Sequence, residues 1–139
     1  MIKKYKYSLK NIDLASNLIV DYTKNYKLFL LDGDLGSGKT TLIKNVLRNI
    51  GILENITSPT FSIVNKYIQD NLEVYHFDLY RVKNEDELYT IGFQEYLESG
   101  KLCFIEWPHI AIKNIDQKYL HIKINSLEND ERELYISKN

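Results

Sequence analysis

The 139-residue chain is poor in the residues that would place it outside the ordinary globular classes. It has one cysteine, Cys103, which rules out an intrachain disulfide and fits a reducing compartment. Set in an apolar run, Cys103 reads as a structural thiol rather than a nucleophile. Only two prolines and six glycines are present, too few for a collagenous or low-complexity chain. No apolar stretch approaches membrane-spanning length, and Met1-Ile2-Lys3-Lys4-Tyr5 leads into polar residues instead of a signal-peptide core. The expectation is a soluble cytoplasmic protein. Charge of one sign is also missing: 18 basic and 19 acidic residues give −1, so no broad electrostatic grip on nucleic acid or anionic membrane is expected. The length suits one domain, residues 1–139, with a real core but no added lid.

Half of the few glycines fall in one place. Gly33-Asp34-Leu35-Gly36-Ser37-Gly38-Lys39-Thr40 has the spacing G-x-x-x-x-G-K-[ST] of a phosphate-binding P-loop. Before it, Leu28 to Leu31 is a short apolar run of the kind buried on both faces of a parallel sheet. After it, Leu42, Ile43, Val46, Leu47 and Ile50 recur at helical spacing until Gly51. Glycines let backbone N–H groups curl around an anion, and the helix N-terminus adds positive potential there. Gly36, Ser37 and Gly38 would line the phosphates and Lys39 would reach the β- and γ-phosphates. Thr40 would offer its hydroxyl to Mg²⁺, with Thr41 toward the α-phosphate.

Around this centre, residues 11–25 read as an amphipathic helix. Phe61 to Ile68 and Leu72 to Tyr80 read as an antiparallel hairpin joined by Gln69-Asp70-Asn71. Alternation puts Val74, His76, Asp78 and Tyr80 on one face of its second arm. Asn84, with Glu87 three residues on, signals the start of a short helix, and a second spans 93–98. Leu102 to Ile105 is another buried parallel strand, ending at Glu106, and Tyr119 to Ile124 with Glu133 to Ile136 form a closing hairpin. The fold expected is a three-layer α/β P-loop NTPase with a mixed, mostly parallel central sheet plus antiparallel hairpin strands.

A P-loop NTPase needs a carboxylate at the end of a neighbouring strand to act on metal and water. Glu106 and Asp78 both qualify, and His76 could orient Asp78, although a lone strand histidine is ordinarily structural. No guanine-reading Asn/Thr-Lys-x-Asp occurs, since Asn65-Lys66-Tyr67-Ile68 lacks the acid, which favours ATP. Arg48, Arg81 and Arg132 are the only arginines, few for the phosphoryl-clamping lid of a small nucleoside or nucleotide kinase. That kinase is the alternative to hydrolysis.

Taken in order, the P-loop with Thr41, Ser58-Pro59-Thr60-Phe61, His76-Phe77-Asp78-Leu79-Tyr80-Arg81 and Ile105-Glu106-Trp107-Pro108 resemble the TsaE (YjeE) family, the small ATPases of bacterial tRNA threonylcarbamoyladenosine (t6A) synthesis. The resemblance implies a compact ATPase, weak alone and stimulated on docking to TsaB-like and TsaD-like proteins, with tRNA reached only through that complex. It implies ATP and Mg²⁺ as cofactors, with Thr40 and Glu106 at the metal and Lys39, Asp78 and Glu106 serving turnover. Ser58 to Phe61 would be a switch-like segment near the γ-phosphate. Two departures from the family pattern are Asn11, where a threonine is common before the first helix, and Glu131-Arg132 in place of Gly-Arg. Both Asn11 and Arg132 are nucleotide-contact candidates.

Overall fold

The structure is a computed structural model describing residues 2–53 and 62–139. Ser58 to Phe61 lies outside the described residues. Strands are β1 (Ile2–Ser8), β2 (Leu28–Gly33), β3 (Val64–Gln69), β4 (Leu72–Asp78), β5 (Leu102–Glu106), β6 (Leu120–Ser126) and β7 (Glu131–Lys138). Helices are α1 (Ile12–Tyr22), α2 (Lys39–Asn49), α3 (Glu85–Thr90) and α4 (Phe93–Glu98). Among the described residues the strands form one sheet in the order β1-β7-β6-β2-β5-β4-β3. Its centre, β6-β2-β5-β4, is wholly parallel, and antiparallel strands finish each side, the hairpin arm β3 on one and the hairpin arm β7 followed by β1 on the other. The expected class is therefore observed, with the parallel pairings confined to the middle.

Alternation along the central strands supplies two cores. Phe29, Leu31, Phe104, Ile122 and Leu134 face α1 and α2, whose Ala15, Ile19, Leu42, Val46 and Leu47 close over them. Phe29 and Phe104 stack with centroids 5.0 Å apart, a contact contributing about 0.5–1.5 kcal/mol beyond burial of their area. Leu28, Leu30, Phe77, Cys103 and Ile105 point the other way, against Leu88, Phe93 and Leu97 of α3 and α4. A strand buried on both faces must be apolar throughout, which is why 28–31 and 102–105 read as unbroken runs. Burial pushes the Cys103 thiol up to about 12, consistent with an inert core sulfur.

The short helices start where capping chemistry permits. Asn84 Oδ1 accepts from Glu87 N at 3.1 Å, while the Glu87 carboxylate reaches back to Lys83 N, one residue before the cap. Strand β1 has no counterpart in the sequence reading. Its Tyr5 and Tyr7 alternate with Lys4 and Lys6, a period-two signal, and Tyr7 is buried against the α1 side of the core.

Candidate functional site

The P-loop leaves β2 and turns into α2 at the carboxyl ends of the parallel strands, where open α/β sheets place ligands. A Cβ on Gly33 would lie 2.5 Å from Ser37 Oγ and 2.7 Å from the Ile124 carbonyl, so the loop closes on β6 only without a side chain there. Gly38 opens α2 in the left-handed region, φ +100°. Lys39 Nζ donates to the Gly33 carbonyl at 2.5 Å and the Asp34 carbonyl at 3.1 Å, curled into the loop it serves. Burial draws the Lys39 ammonium below its ordinary range, opposed by Glu106, Asp78, Asp32 and Asp34.

Leu31, Glu106 and Asp78 share one level of the sheet, since Leu31 pairs with Glu106 across β2 and β5, and Glu106 with Asp78 across β5 and β4. Glu106 is 3% exposed and accepts from Thr40 Oγ1 at 2.9 and 2.8 Å on its two oxygens. His76 Nε2 approaches the same carboxylate at 2.6 Å. His76 thus hydrogen-bonds Glu106, and among the described residues it makes no hydrogen bond to Asp78, the partner considered from strand alternation. Asp78 Oδ1 accepts only from Tyr80 N among the bonds described, and partial burial raises its carboxyl above the usual range.

Trp107, in the left-handed region at φ 54°, turns its ring over Lys39 Nζ, 4.0 Å from the centroid, and against Tyr80 at 4.8 Å. Arg132 Nε, brought in by β7, donates to the Ser37 carbonyl at 3.0 Å. The result is a cleft of about 320 Å³ lined by Gly36, Gly38, Lys39, Thr40, Thr41, Asp78, Glu106, Trp107 and Arg132. Leu9 and Leu35 also line it, both with exposed side chains. Asn11 is not among the lining residues; its Oδ1 accepts from Ser8 N at 2.6 Å, tying the end of β1 to α1. Leu9 was missed by sequence reasoning, because an isolated leucine in a polar stretch carries no motif.

The donor set suits Mg²⁺. Thr40 and Glu106 offer oxygen only, the chemistry a hard cation takes, and few protein ligands leave room for phosphates and water.

A glycine loop at the switch from strand to helix, a lysine curled inside it and a carboxylate on the adjacent parallel strand define a P-loop nucleotide-binding protein. The family model described as "Threonylcarbamoyl adenosine biosynthesis protein TsaE" matches residues 7–134. The chain belongs to the TsaE family. It is 36% identical over 86% of its length to the tRNA threonylcarbamoyladenosine biosynthesis protein TsaE of Bacillus subtilis, spanning 74% of that relative. It is 38% identical to that of Borreliella burgdorferi, over 86% of this chain and 87% of the relative. A crystal structure of Bacillus subtilis YdiB superposes with a TM-score of 0.75 at 29% identity, covering 99% of this chain and 87% of that one. No helix among the described residues is long and apolar enough to cross a membrane.

Proposed function

We propose that this protein binds Mg²⁺-ATP in the P-loop and hydrolyses it in support of t6A modification of tRNA, working with TsaB-like and TsaD-like proteins in the cytoplasm. The observation that supports this most is the direct bonding of Thr40 to Glu106 at the mouth of the loop, in a chain of the TsaE family.

The loop N–H groups and Lys39 hold the triphosphate, with Thr41 toward the α-phosphate and Arg132 at the rim. Thr40 and Glu106 hold Mg²⁺, which supplies charge neutralisation on the β- and γ-phosphate oxygens when bound. Asp78, less tightly engaged than Glu106, orients the attacking water. Docking on the partner complex would shield the open cleft from bulk water and raise a feeble intrinsic rate.

The test is ATP turnover and t6A formation in a reconstituted mixture of tRNA and TsaB-like and TsaD-like proteins with this chain added or withheld. Both should depend on this chain, and Lys39→Ala should abolish both together with ATP binding. Undiminished t6A formation without the chain would overturn the pathway reading, and full ATP affinity in Lys39→Ala would overturn the site. Phosphate appearing on a nucleoside instead of in solution would mark a kinase.

A further inference from the structure

His76 sits within β4 with no exposed surface, yet its side chain makes only one hydrogen bond among the described residues. Its Nδ1 is buried without a partner, an arrangement that a histidine kept for packing ordinarily avoids. The single bond runs to Glu106 Oε2 at 2.6 Å, and because a carboxylate holding a cation only accepts, Nε2 is the donor. Thr40 also bonds Glu106, through both carboxylate oxygens. The Thr40 hydroxyl, however, is itself a candidate cation ligand and has a single proton to share between the two carboxylate oxygens, whereas the His76 side chain is fully buried and meets Oε2 alone. The His76 bond therefore holds Glu106 independently of the Thr40 hydroxyl.

We infer that His76 is a positioning residue for the cation site: its Nε2–H pins Glu106 Oε2 from inside the sheet and keeps the carboxylate turned toward Thr40 when the hydroxyl is drawn to the metal. Outer partners of this kind set the orientation of ligating carboxylates, and losing one costs about 10–100-fold in metal affinity or activity. The inference rests on the Mg²⁺-nucleotide reading of the site and deepens it. Among the described residues His76 reaches the phosphate loop only through Glu106, so nucleotide binding without metal should change little with residue 76.

The experiment compares wild type, His76→Phe and His76→Gln. Phenylalanine fills the space without a donor, whereas glutamine carries an amide N–H near the position of Nε2. The readout is the Mg²⁺ concentration that half-saturates the change in ADP affinity, with ADP affinity in EDTA as control and thermal unfolding to verify the fold. His76→Phe should need about tenfold more Mg²⁺, with EDTA affinity within about twofold, and His76→Gln should return to within about threefold of wild type. A folded His76→Phe with the wild-type Mg²⁺ requirement would overturn the inference. So would a His76→Gln as impaired as His76→Phe, since bulk and not the donor would then be at issue.

If His76→Phe fails to fold, ¹⁵N-histidine NMR of the wild type decides. Nε2 should carry the proton and its signal should move when Mg²⁺ is added to the ADP complex. An unprotonated or unmoved Nε2 would overturn the proposal. A wild type whose ADP affinity ignores Mg²⁺ would overturn the underlying reading and the role of His76 with it, whereas Mg²⁺ dependence unchanged between variants overturns only the latter.

Discussion

Glu106 and Asp78 stand opposite each other at the ends of adjacent parallel strands, yet their surroundings differ in kind. Glu106 is buried, gripped by Thr40 from the P-loop helix and by His76 from the neighbouring strand. Asp78 is only partly buried, accepts one backbone bond, from Tyr80, among the described residues, and has its carboxyl raised by desolvation. A carboxylate held from two sides suits a fixed cation, and one with spare acceptor capacity and a raised pKa suits a mobile water. Two acids that look alike at strand ends are thereby suited to different work by what packs against them.

The strongest way to break this division is Glu106→Ala. Partner-stimulated hydrolysis should fall about 10³-fold, in the range seen when preorganised charge stabilisation is removed, and the Mg²⁺ dependence of nucleotide affinity should largely vanish. Turnover by phosphate release, with titration calorimetry at several Mg²⁺ concentrations, checks it. Retained Mg²⁺ dependence would mean that Glu106 is not the cation's carboxylate.

Asp78→Asn should lower turnover about 10²-fold, the scale of a lost general base or water-orienting group, and leave Mg²⁺-ATP affinity near wild type. The same two measurements apply. A parallel loss of Mg²⁺ dependence in both variants would merge the two acids into a single metal site.

A smaller effect concerns stability. Because the folded-state pKa of Asp78 is raised, ionisation of this group opposes folding at pH values above that pKa, and the penalty disappears as pH falls below the unfolded value near 3.8. Asp78→Asn should therefore raise the Tm at neutral pH, with the difference shrinking as the solution is acidified toward that value. A Tm gain that grows on acidification would contradict the assigned sign.

The mildest effect is spectroscopic. Trp107, the only tryptophan, covers the Lys39 ammonium and abuts Tyr80. Phosphates entering the loop would draw Lys39 from the ring, so Mg²⁺-ATP should change its emission by roughly a tenth or more, a cation–π contact being short-ranged. Lys39→Ala should show no such change. Flat emission in wild type, with binding confirmed by calorimetry, would detach the ring from the site.

Motifs whose chemistry is local could be read directly. Gly33 to Thr40, the capping Asn84 and the apolar runs at 28–31 and 102–105 carry their roles in spacing alone, because a phosphate loop, a helix cap and a doubly buried strand are each defined by near neighbours. Contacts made across the sheet were less legible. Strand alternation put His76 on the face of Asp78, but the pairing of β4 with β5 hands it to Glu106, thirty residues away. Strand β1 escaped notice because its alternation of tyrosine and lysine is buried on one side only through β7, more than a hundred residues later.

The sequence by itself determined the phosphate loop, the α/β class, the two candidate acids and the family resemblance, since each rests on short-range periodicity or a contiguous motif. Tertiary structure alone decided that β6 joins β2 to complete a four-strand parallel centre, that Arg132 reaches the Ser37 carbonyl, and that Leu9 lines the cleft where Asn11 does not. It also decided that Glu106 is the acid held by Thr40 and His76. Those outcomes depend on sheet order and register, which are set by the packing of distant apolar faces and leave no mark in the spacing of neighbouring residues.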